Sequence, residues 1–278
     1  MIRPLIALAL GVCLLVPAPS HVQAQTRPAL AADAALNSRY VWRGITRRND
    51  WVVQPDVVAG VIWGRGSFSV GGWTNYELSR AEPASDEIGL GKRFGEWDVW
   101  AQFEYRMTAL SVSLGYMRYF VDQEAAAAVG TALYDTSELY LGLWWRFGSF
   151  EPRATLWWDV GDVDGAYAEF SAAYRVPVFP VAIPSLYLQM LYGFSFGQAL
   201  NEDDPAEGAY FVDNGLTHIE FSAETQISVP GPLKGLYLTP SLHFQVNRDL
   251  VTKRIRRSQI DATRGSKWWA GVAFSWFR

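Results

Sequence analysis

Most of what holds an ordinary exported domain together is missing from this sequence. One cysteine occurs in 278 residues, at Cys13, so no disulfide framework can form. Three histidines and that cysteine exclude a histidine–cysteine zinc cluster, and no metal or cofactor site is expected. Beyond the first two dozen residues, no apolar run approaches the roughly 20 residues of a membrane-spanning helix. Excess positive charge is absent too. At a formal net charge of −4, a nucleic-acid partner is disfavoured.

The start of the chain is a leader. Arg3 is followed by an apolar run from Leu5 to Val16 and by Val22-Gln23-Ala24, a small-residue cleavage site, so residues 1–24 read as a secretory signal peptide cut after Ala24. The run is too short for a spanning anchor. Val12 stands before Cys13 where lipidation wants a small residue, which argues against a lipid anchor. Removal of residues 1–24 takes away Arg3 and no acid, so 24 basic residues become 23 against 28 acidic ones, a net −5. Residues 25–278 form one domain with no internal repeat.

That domain is rich in aromatics, at 15% of the sequence, and it alternates. Leu139, Leu141, Leu143, Trp145 and Phe147 fall on one parity, with Glu138, Tyr140, Trp144 and Arg146 on the other. After Gly148-Ser149, Phe150, Pro152, Ala154, Leu156 and Trp158 alternate with Glu151, Arg153, Thr155, Trp157 and Asp159. A period of two on both sides of a tight turn predicts a β-hairpin. The pattern recurs along the chain in segments near the 9–11 residues or so of a tilted membrane strand. Lipid admits sheet only as a closed barrel, because an open edge leaves amides unpaired. The fold class is therefore all-β: a transmembrane, antiparallel up-and-down barrel of about twelve strands.

A first strand is expected over residues 34–45, with Tyr40 and Trp42 on one face and Asn37, Arg39 and Arg43 on the other. Residues 87–106 change parity at Gly95-Glu96. A bulge there, rather than a turn, keeps the strand count even, as a barrel with both termini on one side requires. Short connections at 64–66, 108–109, 148–149, 177–184 and 230–235 alternate with longer ones at 46–50, 77–85, 121–135, 160–165, 197–214 and 247–266, the asymmetry of periplasmic turns and extracellular loops.

Two segments carry a resemblance. The end of the chain, Trp269 to Arg278 with Gly271, Phe274, Trp276 and Phe277, resembles the carboxy-terminal signature of Gram-negative outer-membrane barrels, which implies the barrel assembly machinery as a partner; here Arg278 follows the final aromatic. The stretch Ser38-Arg39-Tyr40-Val41-Trp42-Arg43-Gly44-Ile45, with Gln54-Pro55 downstream, resembles the opening of the TorF-type porin family. That resemblance implies an outer-membrane pore and says nothing about its solute.

If the apolar parity faces lipid, the other faces a lumen. It carries Arg39, Arg43, Asp56, Asp98, Gln102, Glu104, Arg106, Glu138, Arg146, Glu151, Arg153, Asp159, Glu169, Arg175, Glu220 and Glu224, with Trp100, Trp144, Trp157 and Trp269 also projecting inward. One reading is a porin-like channel for passive diffusion of small solutes, its charges biasing what passes. Twelve strands lie between filled eight-stranded barrels and open 16–18-stranded ones, so the pore is expected to be narrow. The alternative is a non-conducting structural or adhesion barrel, its charges paired across strands. A third reading, an outer-membrane acyl hydrolase, would set Ser222 opposite His243 with Glu220 and Glu224 nearby; it lacks an oxyanion element, and His218 and His243 otherwise read as strand histidines facing water. The acidic loop (Glu202, Asp203, Asp204, Glu207, Asp213) and the basic one (Arg248, Lys253, Arg254, Arg256, Arg257, Arg264, Lys267) could pair over the mouth. Alternatively the basic loop meets lipopolysaccharide phosphates among the outer-membrane lipids.

Overall fold

A side-chain period of two becomes antiparallel strand along the chain. The computed structural model describes residues 26–79, 94–122, 135–161, 163–178, 185–198, 211, 214–232, 234–247 and 265–278. The expected signal peptide lies outside them, as do residues 87–93 and most of the acidic and basic loops. The described strands are β1 (Arg27–Asn37), β2 (Tyr40–Trp42), β3 (Ile45–Arg48), β4 (Val52–Trp63), β5 (Gly66–Glu77), β6 (Phe94–Arg106), β7 (Leu110–Val121) and β8 (Thr136–Trp145). They continue with β9 (Phe150–Asp159), β10 (Ala166–Val176), β11 (Leu186–Phe196), β12 (Gly215–Thr225), β13 (Ile227–Ser228), β14 (Leu236–Asn247) and β15 (Ser266–Phe277).

Each wall strand pairs antiparallel with its neighbours in the chain, and β1 closes the circle by pairing with both β4 and β15. The wall is a closed barrel of 12 strands. The two-residue β13 only extends the seam between β12 and β14, while β2 and β3 pair with each other and not with the wall.

The first wall strand differs from the sequence expectation. It runs over Arg27–Asn37 instead of residues 34–45. Ala29, Ala31, Ala32, Ala34 and Ala35 give it too little contrast between faces for a periodicity argument to detect. The more conspicuous alternation around Tyr40 and Trp42 belongs to β2 and β3, which are also extended. One strand replaced another in the count, so the total of twelve stood.

The parity switch at Gly95 is a bulge. Asn75 pairs with Glu96 and Tyr76 with Phe94, leaving Gly95 as the extra residue. Phe94 and Trp97 consequently both point outward, 51% and 52% exposed, with their rings stacked at 5.8 Å.

The outward parity is oily all round. Phe103, Leu114, Leu141 and Leu156 are opposite one another on successive strands and all are exposed. Exposed aromatics flank this band, with Phe147, Phe150 and Phe277 at the turn end and Phe120, Phe196 and Trp268 at the loop end. A soluble barrel would leave so large an apolar surface in water at great cost; hydrocarbon removes that cost. Leu141 sits midway along β8, so Leu141→Arg is expected to destabilise the barrel by about 2–4 kcal/mol in urea titrations from lipid vesicles. A loss well below ~1 kcal/mol would contradict a lipid-facing position at mid-depth.

Candidate functional site: an inner hairpin and the cavity beside it

The chain between β1 and β4 does not arch away from the barrel. β2 and β3 form a hairpin whose Tyr40, Ile45, Thr46, Arg47 and Arg48 are buried. Its contacts come from wall strands around the lumen and from the connections between them. On one side Tyr40 packs on Trp73 of β5 at 5.6 Å and its hydroxyl donates to Glu96 of β6 at 3.0 Å, and Trp42 meets Tyr119 of β7 edge-on. On the other, Ile45 packs with Val163, Tyr167 and Phe211.

The tip is Arg43-Gly44, a two-residue turn with φ of +49° and +86°, as type I′ hairpins require. The Gly44 carbonyl accepts from Gln245 Nε2 (2.9 Å), Asn247 Nδ2 (3.2 Å) and Lys267 Nζ (3.1 Å), so β14 and β15 pin it. Glycine is required twice over here, since a Cβ at 44 would lie 2.7 Å from His218 Nδ1. His218 is accordingly buried beneath the tip, 2% exposed, and does not face water as a strand histidine would.

Arg43 reaches the opposite wall. Its Nη1 and Nη2 donate to Glu138 Oε1 and Oε2, both at 2.6 Å, and Tyr119 Oη donates to the same carboxylate at 2.8 Å. The guanidinium lies 4.6 Å from the Trp42 ring, 5.0 Å from Trp157 and 4.4 Å from Tyr167. Burial disfavours its charge, yet the Glu138 carboxylate and the phenol oxygens of Tyr119 and Tyr167 hold its pKa above the ordinary arginine value.

Beside the hairpin lies a cavity of about 420 Å³, lined by Trp73, Trp157 and Trp269, by Asp98, Glu169 and Glu220, and by Arg39 and Arg43. Asp98 is 8% exposed and its Oδ1 has no hydrogen-bond partner. Arg43 is neutralised by Glu138, and Arg39 Nε donates to Asn49 Oδ1 at 2.7 Å. Asn49 is a neutral amide and leaves the Arg39 charge in place, so the formal balance of the lining is three carboxyls against Arg39 once Arg43 is paired with Glu138.

The remaining charged positions fall elsewhere. Asp56 is opposite Asp33 between β1 and β4. Gln102 accepts from Tyr140 Oη at 2.8 Å. Asp159 accepts from Thr136 Oγ1 and from the backbone N–H groups of Gly161 and Val163, tying down a loop-end turn. Near the turn end, Glu104 pairs with Arg106 at 2.5 Å, and Glu151 with Arg175 at 2.9 Å and Arg153 at 3.7 Å. Arg146 and Arg153 lie over Trp144 at 3.8 and 4.5 Å. Glu224 is exposed, two residues beyond Ser222. Trp100 lies against the wall over Gly71, where a Cβ would come within 2.4 Å of the indole, so it narrows the lumen less than its parity implies.

Ser222 does lie opposite His243. The histidine Nδ1 is 2.9 Å from Glu220 Oε1, where the orienting acid of a triad would sit, and its ring stacks on Trp269 at 4.8 Å. No hydrogen bond joins Ser222 to His243 among the described residues.

No protein-family model matches the chain, and no curated protein matches it. Solved structures do. A chain from work on the mechanism behind in-meso crystallization of membrane proteins superposes with a TM-score of 0.51 at 9% identity, over 90% of this chain and 83% of that one. LpxR from Salmonella typhimurium gives 0.49 at 7% identity, over 89% and 99%. A KdgM porin gives 0.44 at 6% identity, over 88% and 98%. The first likeness is one of fold alone, and the other two fall below 0.5.

Proposed function

We propose that this chain is a narrow, porin-like channel of the Gram-negative outer membrane, passing small solutes through a lumen constricted by the β2–β3 hairpin. The observation that carries the reading is the cavity of about 420 Å³ lined by charge and tryptophan. A barrel built only as a scaffold would close that space with charges paired across strands. The oily exterior and closed wall support insertion in the membrane, with outer-membrane lipid and lipopolysaccharide around it. The carboxy-terminal aromatics support delivery by the barrel assembly machinery.

The acidic lining further favours cations. In a potassium chloride gradient across a planar bilayer, the reversal potential is expected to carry the sign of cation selectivity, and to move toward zero in Asp98→Asn/Glu220→Gln. Proteoliposomes are expected to admit glycine-sized and pentose-sized solutes and to exclude trisaccharides. Vesicles of folded protein that admit none of these would refute the channel and favour the non-conducting barrel, for which the wide contacts of the hairpin are the supporting observation. Hydrolysis has weaker support: Glu220 holds His243 as the orienting acid of a triad would, but no hydrogen bond joins Ser222 to His243 among the described residues.

A further inference from the structure

The tip of the inner hairpin contains a residue that a turn does not call for. Type I′ turns favour Asn-Gly or Gly-Gly, which reach positive φ with little strain. Here the first position is an arginine at φ +49°, a conformation uncommon for such a side chain. Strain of this kind persists where the surroundings over-determine it, and it gathers at functional sites.

What over-determines it is a set of wall groups shaped for a guanidinium. The Glu138 carboxylate meets the guanidinium fork to fork, with Tyr119 Oη as a further donor to that carboxylate. The faces of Trp157 and Tyr167 cover the cation. A planar delocalised cation uses both the bidentate contact and the ring faces, whereas a compact ammonium matches the fork poorly. Glu138 is fully buried, so this carboxylate strongly needs a cationic partner. Tyr119, Trp157 and Arg43 also line the cavity, so a solute held there faces part of the cage and reaches the buried Glu138 and Tyr167 only when Arg43 leaves.

We infer that the Glu138–Tyr119–Trp157–Tyr167 cage is a solute-binding site selective for guanidinium-bearing cations, and that Arg43 occupies it as an internal stand-in when no solute is present. The role in transport rests on the channel reading, but the site is tested by binding, so a silent bilayer and an empty cage are separate results.

Arg43→Gly vacates the cage and relaxes the turn. Folded in detergent, that variant is expected to bind ethylguanidinium saturably, by calorimetry and tryptophan fluorescence, at least about tenfold more tightly than ethylammonium. The unaltered protein should bind it more weakly, because Arg43 competes. Arg43→Gly/Glu138→Gln should lose the preference. Equal affinity for the two cations, or a preference that survives Glu138→Gln, would overturn the site. Should Arg43→Gly not fold, the unaltered protein decides: L-arginine is expected to speed amide exchange over residues 40–48 more than equimolar L-lysine does, and equal exchange rates would refute the proposal.

Discussion

Replacing residues 39–50 by a short glycine–serine connection is expected to yield a barrel that still folds and conducts several-fold more current per channel. The wall does not need the hairpin for its register. Asn37 of β1 pairs directly with Val52 of β4, so two to four residues can bridge the strands, and Ser38 keeps its exchange of hydrogen bonds with Ala270. Tyr40, Trp42, Arg43 and Ile45 are removed from the lumen together. Glu96 and Glu138 lose partners, but water entering the vacated space solvates them, unlike carboxylates stranded in a sealed core. Single-channel recording, alongside a gel-shift assay for the heat-modifiable folded form, checks both halves. A folded variant with the parent's conductance would show that the constriction lies elsewhere.

Arg43→Ala is the single substitution with the largest expected effect on the hairpin. Breaking one partner out of a buried ion pair costs about 3–5 kcal/mol, mostly through the charge left behind, and alanine keeps the left-handed turn strain of roughly 1 kcal/mol. The loss is bounded by the docking free energy of the hairpin, because β2 and β3 can swing out and let water reach Glu138. The expected signature is therefore local. Trypsin should cut after Arg47 and Arg48, which are only 4% and 1% exposed in the docked hairpin, while the wall's unfolding midpoint moves much less. Arg43→Ala/Glu138→Ala should recover part of the protection, since the stranded carboxylate is gone. If both variants resist trypsin as the parent does, the pair does not hold the hairpin.

The legible part of this fold was its exterior. Lipid imposes one rule on every strand, so Leu139, Leu141, Phe170 and Phe274 announce their parity without reference to any neighbour. The parity switch at Gly95 was legible for the same reason, because Phe94 and Trp97 must both reach lipid, and the even strand count chose a bulge over a turn. The opposition of Ser222 and His243 followed from the β12–β14 connection alone. The interior obeys no such shared rule. Arg43 and Glu138 are 95 positions apart, and nothing in either local pattern points to the other. Glu151 and Arg175 share the lumen parity with Glu138, yet remain in pairs near the turn end. The hairpin itself had left a trace in the order Trp42-Arg43-Gly44-Ile45, a two-residue turn ending in glycine between extended residues. That trace was masked by the expectation of a continuous strand from residue 34 to residue 45, because β2 alternates as a wall strand would. Tyr119, Tyr167, Gln245 and Asn247 were missed as site residues because their role exists only once the hairpin is inside, and Lys267, expected in the basic loop, is instead buried against the Gly44 carbonyl.

The most direct test of a hairpin-constricted conduit is the current through single copies of the unaltered protein in a planar bilayer. Discrete, small steps with cation preference are the predicted result. Protein that is demonstrably folded and inserted, yet gives no steps at any applied voltage, would contradict it.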